Sequence, residues 1–351
     1  MIYILLSLLL IIIVGKICNS SRKSTLESNV FLILSYIVIL TLYALKNNNI
    51  FPDLDKYEML FVNSKRVSWE SIKELQNYTI SDKYELGWCI FTKTISYIFD
   101  DFLSFIFLFS IIYLCLVFFA LKKYSNYLLF AIILFILLRF YNSCFVLRQN
   151  LAAAVCMASI PFIIKRKPIH FSFCILVAFS FHQSALVFSI MYFLFDVKIS
   201  KLYIVLLLFA STIMYVGVFT VFSNFLPYFE SYQVYATEIR SSEGSNYTSF
   251  ILSLISLLFI LFVYKNKKID KINRLFIHAM IISSIINFVK IGLPGTVGRL
   301  GLYFSYFIIL AIPNTCMNIE NKEMRTLAIV GFSALYFALF YATFNYGFEL
   351  S

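Results

Sequence analysis

Apolar runs of membrane-spanning length alternate with polar segments along almost the whole chain. A helix needs about 20 predominantly apolar residues to cross a hydrocarbon core about 30 Å thick, because each residue adds about 1.5 Å. The pattern therefore predicts an all-α polytopic membrane protein, one membrane domain over residues 1–351 with about 11–12 transmembrane helices. The apolar runs are residues 1–15, 29–45, 102–121, 126–142, 148–164, 169–195, 201–222, 249–264, 275–291, 299–316 and 326–345.

Composition separates this chain from soluble proteins. Hydrophobic residues make up 61% of it and charged residues 13%, whereas soluble proteins have about half and about a quarter. The net charge of +11 is explained by basic polar segments that face anionic lipid, so a nucleic-acid partner is not indicated.

Charge on the polar segments predicts the orientation in the membrane. Basic clusters at 16–23, 122–123, 165–167 and 265–274 belong in the cytoplasm by the positive-inside rule. Two other polar segments are net acidic, residues 46–101 and residues 223–248. These two segments are therefore predicted to be outer loops.

The run 169–195 does not fit simple alternation of sides. It leaves the cytoplasm after the basic cluster 165–167, yet the segment that follows it must also be cytoplasmic if the cluster 265–274 is to stay inside. We predict a hairpin of two short helices, each about 20 Å long, with its apex near Phe181-His182-Gln183-Ser184. Helices that break at membrane depth are tolerated where they line a cavity. The alternative is one long tilted helix with the later topology inverted.

Arginines at predicted helix starts are the first candidates for chemistry. Arg148 opens one helix, and Arg299 opens another after the glycine-rich segment 292–298. A cation there opposes the helix dipole unless an anion binds to both the guanidinium and the free N–H groups. Arg139 lies inside an apolar run, where arginine is costly and usually functional. The structural alternative is an arginine that reaches the lipid headgroups.

Two further candidates are a histidine and an acidic, aromatic segment. His182 lies at the predicted hairpin apex, where it is either a general base or phosphate ligand, or a structural hydrogen-bonding residue. Carboxylates and aromatic rings of the segment 46–101 suit sugar recognition. The same composition is also typical of a loop that lies on the membrane surface.

Five short motifs occur in a characteristic order along the chain. They are Asp53 or Asp55 followed by Tyr57 and Phe61; Glu85-Leu86-Gly87-Trp88; Arg148-Gln149-Asn150-Leu151-Ala152; Ala178-Phe179-Ser180-Phe181-His182-Gln183-Ser184-Ala185; and Arg299-Leu300-Gly301-Leu302-Tyr303-Phe304. In this order the chain resembles the EpsG-like branch of the Wzy polysaccharide polymerases. These are bacterial inner-membrane proteins that polymerise O-antigen or capsule repeat units.

The resemblance implies a GT-C-like membrane glycosyltransferase. It would transfer a glycan from undecaprenyl diphosphate to a sugar hydroxyl of a second lipid-linked repeat unit. Arg148 and Arg299, with Arg139, would offset the charge on the leaving diphosphate. His182 would deprotonate the acceptor hydroxyl or bind phosphate. A chain-length regulator is an implied partner, and neither a cofactor nor a metal motif is found.

The resemblance also implies residues that bind the diphosphate or the sugar. Asp53, Asp55 or Glu85 would act as the base or hold sugar hydroxyls. The remaining members of the predicted binding set are Gln149, Tyr57 and Tyr303.

Three other functions stay open at this point. An O-antigen ligase would use the same donor, but ligases usually have a larger late outer loop than residues 223–248. A flippase or transporter for the lipid-linked unit often shows internal repeats, and none is found between the halves of this chain. A membrane O-acetyltransferase would need a cytoplasmic acyl-donor site, whereas His182 is predicted on the outer side.

Overall fold

The structure, a computed structural model, describes residues 2–18, 26–44, 53–77, 84–225, 243–291 and 295–349, and this part of the chain contains helices and no strands. The helices are α1 Ile2–Ile17, α2 Leu26–Ala44, α3 Leu54–Ser64, α4 Leu86–Ile98, α5 Phe102–Tyr124, α6 Leu128–Ser143, α7 Leu147–Ile164, α8 Pro168–Phe181, α9 Ile190–Leu194, α10 Lys201–Phe225, α11 Glu243–Val263, α12 Lys271–Val289, α13 Gly295–Ser305, α14 Ile308–Met317 and α15 Lys322–Glu349.

Within these residues, six helical spans are long and apolar enough to cross a membrane, and six more apolar helices are shorter. The long spans are α2, α5, α7, α12, α15 and the combined span Gly298–Met317. The prediction of an all-α polytopic membrane protein is confirmed. Of the predicted 11–12 transmembrane helices, six are long enough to span in the described residues, and six further apolar helices are shorter.

The predicted hairpin in the run 169–195 is present. Helix α8 ends at Phe181, His182 adopts an extended conformation, and a 3₁₀ helix Gln183–Ser189 leads into α9. The second arm differs from the expected α-helix, because most of it is 3₁₀.

Contacts between the two arms show that the chain returns to the end from which it came. The ring of Phe171 near the start of α8 stacks on Tyr192 in α9, with 5.2 Å between centroids. Arg166 before the hairpin forms an ion pair with Asp196 after it. These contacts exclude a single long tilted helix over this run.

The predicted outer loop 46–101 contains folded helices in its described part. Helices α3 and α4 pack on each other, and the buried Lys93 ammonium donates to the Ser64 carbonyl at 2.9 Å. Trp88 in α4 is fully buried and meets Phe105 of α5 edge-on at 5.9 Å. We call residues 53–77 and 84–101 the outer segment; aromatic packing fixes it to the helix bundle.

The second predicted outer loop, residues 223–248, lies largely outside the described residues. Helix α10 ends at Phe225 and helix α11 begins at Glu243.

The centre of the bundle is formed by α5, α6, α7 and α14. Tyr113 of α5 hydrogen-bonds to Tyr306, between α13 and α14, with 2.6 Å between the hydroxyl oxygens. Helix α6 contains a π-helical turn, Ile136–Phe140. Such turns widen a helix and often occur at functional positions.

The hairpin predicts the accessibility of single cysteines in a variant without the seven native cysteines. Cysteines at Lys165 and Lys198, on the two feet of the hairpin, should react with an impermeant maleimide only from the cytoplasmic side. A cysteine at Gln183, at the apex, should react from the outer side or not at all. Labelling of positions 165 and 198 from opposite sides would contradict the hairpin.

Candidate functional site

A cavity of about 390 Å³ lies where the outer segment, the hairpin apex and the starts of α7 and α13 converge. Helix ends from distant parts of the sequence therefore meet at one end of the bundle. The lining residues are Asp53, Lys56, Tyr57, Tyr84, Asn142, Val146, Arg148, Gln149, His182, Lys290, Gly298, Arg299 and Leu302.

Arg148, near the start of α7, is the centre of the polar contacts around this cavity. Its Nη1 lies 2.7 Å from Oε2 of Glu85, and the two side chains are only 15% and 10% exposed. The guanidinium lies 4.7 Å from the centre of the Tyr84 ring. It also hydrogen-bonds to Tyr57, in α3. Burial raises the pKa of the Tyr57 phenol, and the charge of Arg148 opposes this shift.

Glu85 joins the outer segment to the hairpin as well as to α7. Its second carboxylate oxygen accepts a hydrogen bond from the backbone N–H of Gln183 at 3.1 Å. Helix α4 approaches α8 closely because Gly87 has no side chain. A Cβ atom on Gly87 would lie 2.3 Å from Oγ and 2.6 Å from the backbone oxygen of Ser180. The motif Glu85-Leu86-Gly87-Trp88 thus combines an ion pair, a close helix approach and a core aromatic.

Hydrogen bonds at the hairpin apex fix the protonation pattern of His182. Nδ1 accepts from the backbone N–H of Ser184 at 3.3 Å and lies 2.8 Å from its Oγ. That hydroxyl in turn lies 2.9 Å from the hydroxyl of Tyr303. A neutral imidazole that accepts at Nδ1 carries its proton on Nε2. His182 lines the cavity as a neutral imidazole with its proton on Nε2.

Arg148, Lys290 and Arg299 bring positive charge to the cavity from three different elements. Lys56 also lines it and is paired with Asp53. Gln149 donates from its side chain to the Arg299 carbonyl, which ties the start of α13 to α7. Lys290 packs against Gly298, where an added Cβ would lie 3.3 Å from Cδ of the lysine. The arrangement favours an anionic ligand.

The structure brings most of the predicted site residues together. Asp53, Tyr57, Arg148, Gln149, His182 and Arg299 line the cavity. Glu85 and Tyr303 lie one layer behind it and contact Arg148 and the partner of His182, respectively. Asp55 is exposed on α3 and is not among the lining residues, and Arg139 lines a neighbouring cavity.

Several cavity residues were not predicted from the sequence: Lys56, Tyr84, Asn142 and Lys290. The sequence does mark Lys290 as unusual. It lies at the predicted outer end of an apolar segment, where the positive-inside rule disfavours lysine. Tyr84 precedes Glu85 directly, but nothing in the sequence shows that its ring lies under the Arg148 guanidinium.

Comparison with known proteins assigns the chain to a family. The model of the EpsG family matches residues 2–349. The chain belongs to the EpsG family. It is therefore a multi-pass membrane protein related to polysaccharide biosynthesis. No curated protein and no solved structure matches it.

The candidate site of this EpsG-family protein is built for hydrogen bonding and positive charge. Among the described residues, no group of three or more histidine, cysteine or acidic side chains lies close enough together to hold a metal ion. Among the described residues, the polar side chains that line the cavity are two arginines, two lysines, a histidine, an aspartate, an asparagine, a glutamine and two tyrosines. Such groups can hold phosphate oxygens and sugar hydroxyls at the same time.

The close approach at Gly87 predicts a stability effect. Gly87→Ala should push α4 away from α8, and overpacking of this kind costs about 1–3 kcal/mol. Gly331→Ala is the matched control, since a Cβ on Gly331 meets nothing within 4 Å, and it should be neutral or slightly stabilising. Thermal unfolding in detergent measures both. An equal melting temperature for the two variants would contradict the packing described for α4.

The ion pair of Glu85 and Arg148 predicts non-additive effects. Glu85→Gln leaves Arg148 buried without its counter-charge and should lower the free energy of unfolding by about 3 kcal/mol. Adding Arg148→Gln should cost less than the sum of the single losses. A double-mutant cycle of unfolding free energies tests this. Full additivity would show that the two side chains do not interact.

Proposed function

We propose that this protein polymerises undecaprenyl-diphosphate-linked oligosaccharide repeat units into O-antigen or capsular polysaccharide at the outer face of the bacterial inner membrane. The observation that carries the proposal is the cavity in which Arg148, Lys290 and Arg299 converge beside the N–H donor of His182. Membership of the EpsG family supports polysaccharide as the product class.

The proposed reaction replaces one bond at the anomeric carbon of the donor. The oxygen of an acceptor sugar hydroxyl forms a bond to C1 of the first donor sugar, and the bond from C1 to the phosphate oxygen breaks. The hydroxyl proton passes to a base, and the bond electrons stay on the released lipid diphosphate. The growing glycan thereby moves onto the lipid-linked acceptor unit.

Cationic groups assist the departure of the diphosphate. Negative charge develops on its oxygen as the C1–O bond breaks, and fixed positive groups stabilise that charge without further reorganisation. Arg148 is the second residue of α7, where free backbone N–H groups add to the positive potential. Arg299 was predicted to open its helix, but α13 begins at Gly295 and Arg299 lies one turn inside it, so it contributes the charge of its guanidinium. The Nε2–H of His182 is assigned as a further donor to a phosphate oxygen.

Asp53 is the carboxylate best placed to take the proton. Glu85 already uses one oxygen for Arg148 and the other for the Gln183 N–H. Asp53 lines the cavity, is half exposed and lies 3.3 Å from the Lys56 ammonium. Its backbone is left-handed, with φ of 71°, a conformation that non-glycine residues adopt mainly where the surroundings impose it.

The test of the proposal is glycan banding after deletion and complementation of the gene. Deletion should leave core with a single repeat unit, and Arg148→Gln or Arg299→Gln should fail to restore the ladder at equal protein level. Arg66→Gln is the control, since Arg66 is an exposed arginine of the same outer segment.

Other outcomes of this experiment would contradict the proposal. Loss of all repeat units with accumulation of lipid-linked polymer outside would indicate a ligase. Repeat units trapped on the cytoplasmic side would indicate a flippase. An unchanged ladder after deletion would exclude a required role in polymerisation.

The assigned role of His182 predicts different effects for two substitutions. Glutamine can place an amide N–H near the position of Nε2, whereas alanine removes the donor. A lost hydrogen bond to a charged group costs about 1.5–3 kcal/mol, so His182→Ala should slow polymerisation about 10–100-fold and His182→Gln much less. Rates of ladder formation in membranes measure the difference. Equal loss in both variants would favour a general base instead.

A further inference from the structure

A second cavity of about 380 Å³ adjoins the first one. The two cavities share four lining residues: Asn142, Lys290, Gly298 and Leu302. The second cavity, which we call the Arg139 chamber, lies among α6, α11, α12, α13 and α15. Besides Arg139 it is lined by hydroxyl and amide groups from these helices, among them Ser253, Ser283, Asn287 and Ser305.

Arg139 lies in this chamber without a carboxylate partner. None of the ion pairs in the described part of the chain involves it. Its Nη2 donates to the Ser305 carbonyl at 2.6 Å, and its guanidinium lies 4.8 Å from the centre of the Tyr306 ring. Its Nε is buried and has no hydrogen-bond partner. A buried guanidinium with too few hydrogen-bond partners destabilises the protein unless an anion supplies the missing acceptors.

The helix that carries Arg139 is not a regular α-helix at this position. Arg139 belongs to the π-helical turn Ile136–Phe140, and such turns are frequent at functional sites. The chamber therefore combines an incompletely satisfied cation, a π-turn, and hydroxyl and amide groups set among apolar side chains.

We propose that the Arg139 chamber is a second diphosphate site, which holds the headgroup of one lipid-linked oligosaccharide while the cavity of Arg148 and Arg299 holds that of the other. This assignment rests on the proposed function, since polymerisation brings together two substrates that each carry a lipid diphosphate. Guanidinium, ammonium and hydroxyl donors suit diphosphate oxygens.

A chain of hydrogen bonds joins the two cavities. The Tyr306 hydroxyl beneath Arg139 donates to Oδ1 of Asn150. The Asn150 amide donates in turn to Oδ1 of Asn142 at 2.9 Å. Asn142 lines both cavities, and Asn150 lies in α7 two residues after Arg148. Among the described residues, Lys290 is the one cation that lines both cavities, so it contributes positive charge to either ligand.

The first arm of the test titrates the purified full-length protein with inorganic diphosphate in a calorimeter. The wild-type protein should bind two diphosphates. Arg139→Gln and Arg148→Gln should each bind one, and Lys290→Gln should weaken both sites about 10-fold. Asn287→Phe fills the Arg139 chamber without removing a charge and should also leave one site. Arg66→Gln, the exposed control, should keep two.

One stoichiometric result would overturn the second site. In that result, the wild-type protein binds a single diphosphate. Arg148→Gln abolishes this binding, whereas Arg139→Gln and Asn287→Phe leave it intact. Two sites retained in both chamber variants would overturn the location.

The second arm identifies the source of the diphosphate with undecaprenyl diphosphate and native mass spectrometry. Two lipids on the wild-type protein and one on Arg139→Gln support a lipid headgroup. Loss of one inorganic diphosphate from Arg139→Gln with two lipids still bound would overturn the lipid assignment. An unchanged glycan ladder after gene deletion, with two diphosphate sites behaving as described, would overturn the polymerase function and leave the second site standing.

Discussion

The carboxylate of Glu85 is the contact on which the arrangement of the site depends. One oxygen accepts from the Arg148 guanidinium at the start of α7, and the other accepts from the Gln183 N–H at the hairpin apex. A single buried side chain therefore fixes three elements that are far apart in the sequence. Gly87, two residues on, lets α4 approach α8 closely enough for this contact. Without the anion, the charged guanidinium and the backbone N–H donor would both lose their acceptor in a low-dielectric setting.

The sequence carried the features that follow from local periodicity and from charge. The apolar runs predict the helices. The hairpin is predicted because lysine and arginine counts constrain the side of each loop, and a single helix over 169–195 conflicts with those counts. Arg148, Arg299 and His182 were identifiable because a cation or an imidazole at a helix end in an apolar chain needs a reason. The structure places all three at one cavity.

Other features depend on tertiary contacts and could not be predicted. The sequence does not show that Glu85 pairs with Arg148 whereas Asp53 lines the cavity and pairs with Lys56. The tautomer of His182 depends on the N–H of Ser184, which a 3₁₀ start brings to Nδ1. Asp55 was predicted by the same motif as Asp53, but it faces away from the cavity because α3 begins between them.

In the proposed function, the cationic cavity stabilises a departing lipid diphosphate during glycan polymerisation. The most direct measurement uses the purified protein in liposomes with a lipid-linked repeat unit as the only substrate, and counts released lipid diphosphate against glycosidic bonds formed. One lipid diphosphate should be released for each bond formed, and Arg148→Gln should lose both products together. Bond formation without release of lipid diphosphate, or no bond formation by the wild-type protein, would contradict it.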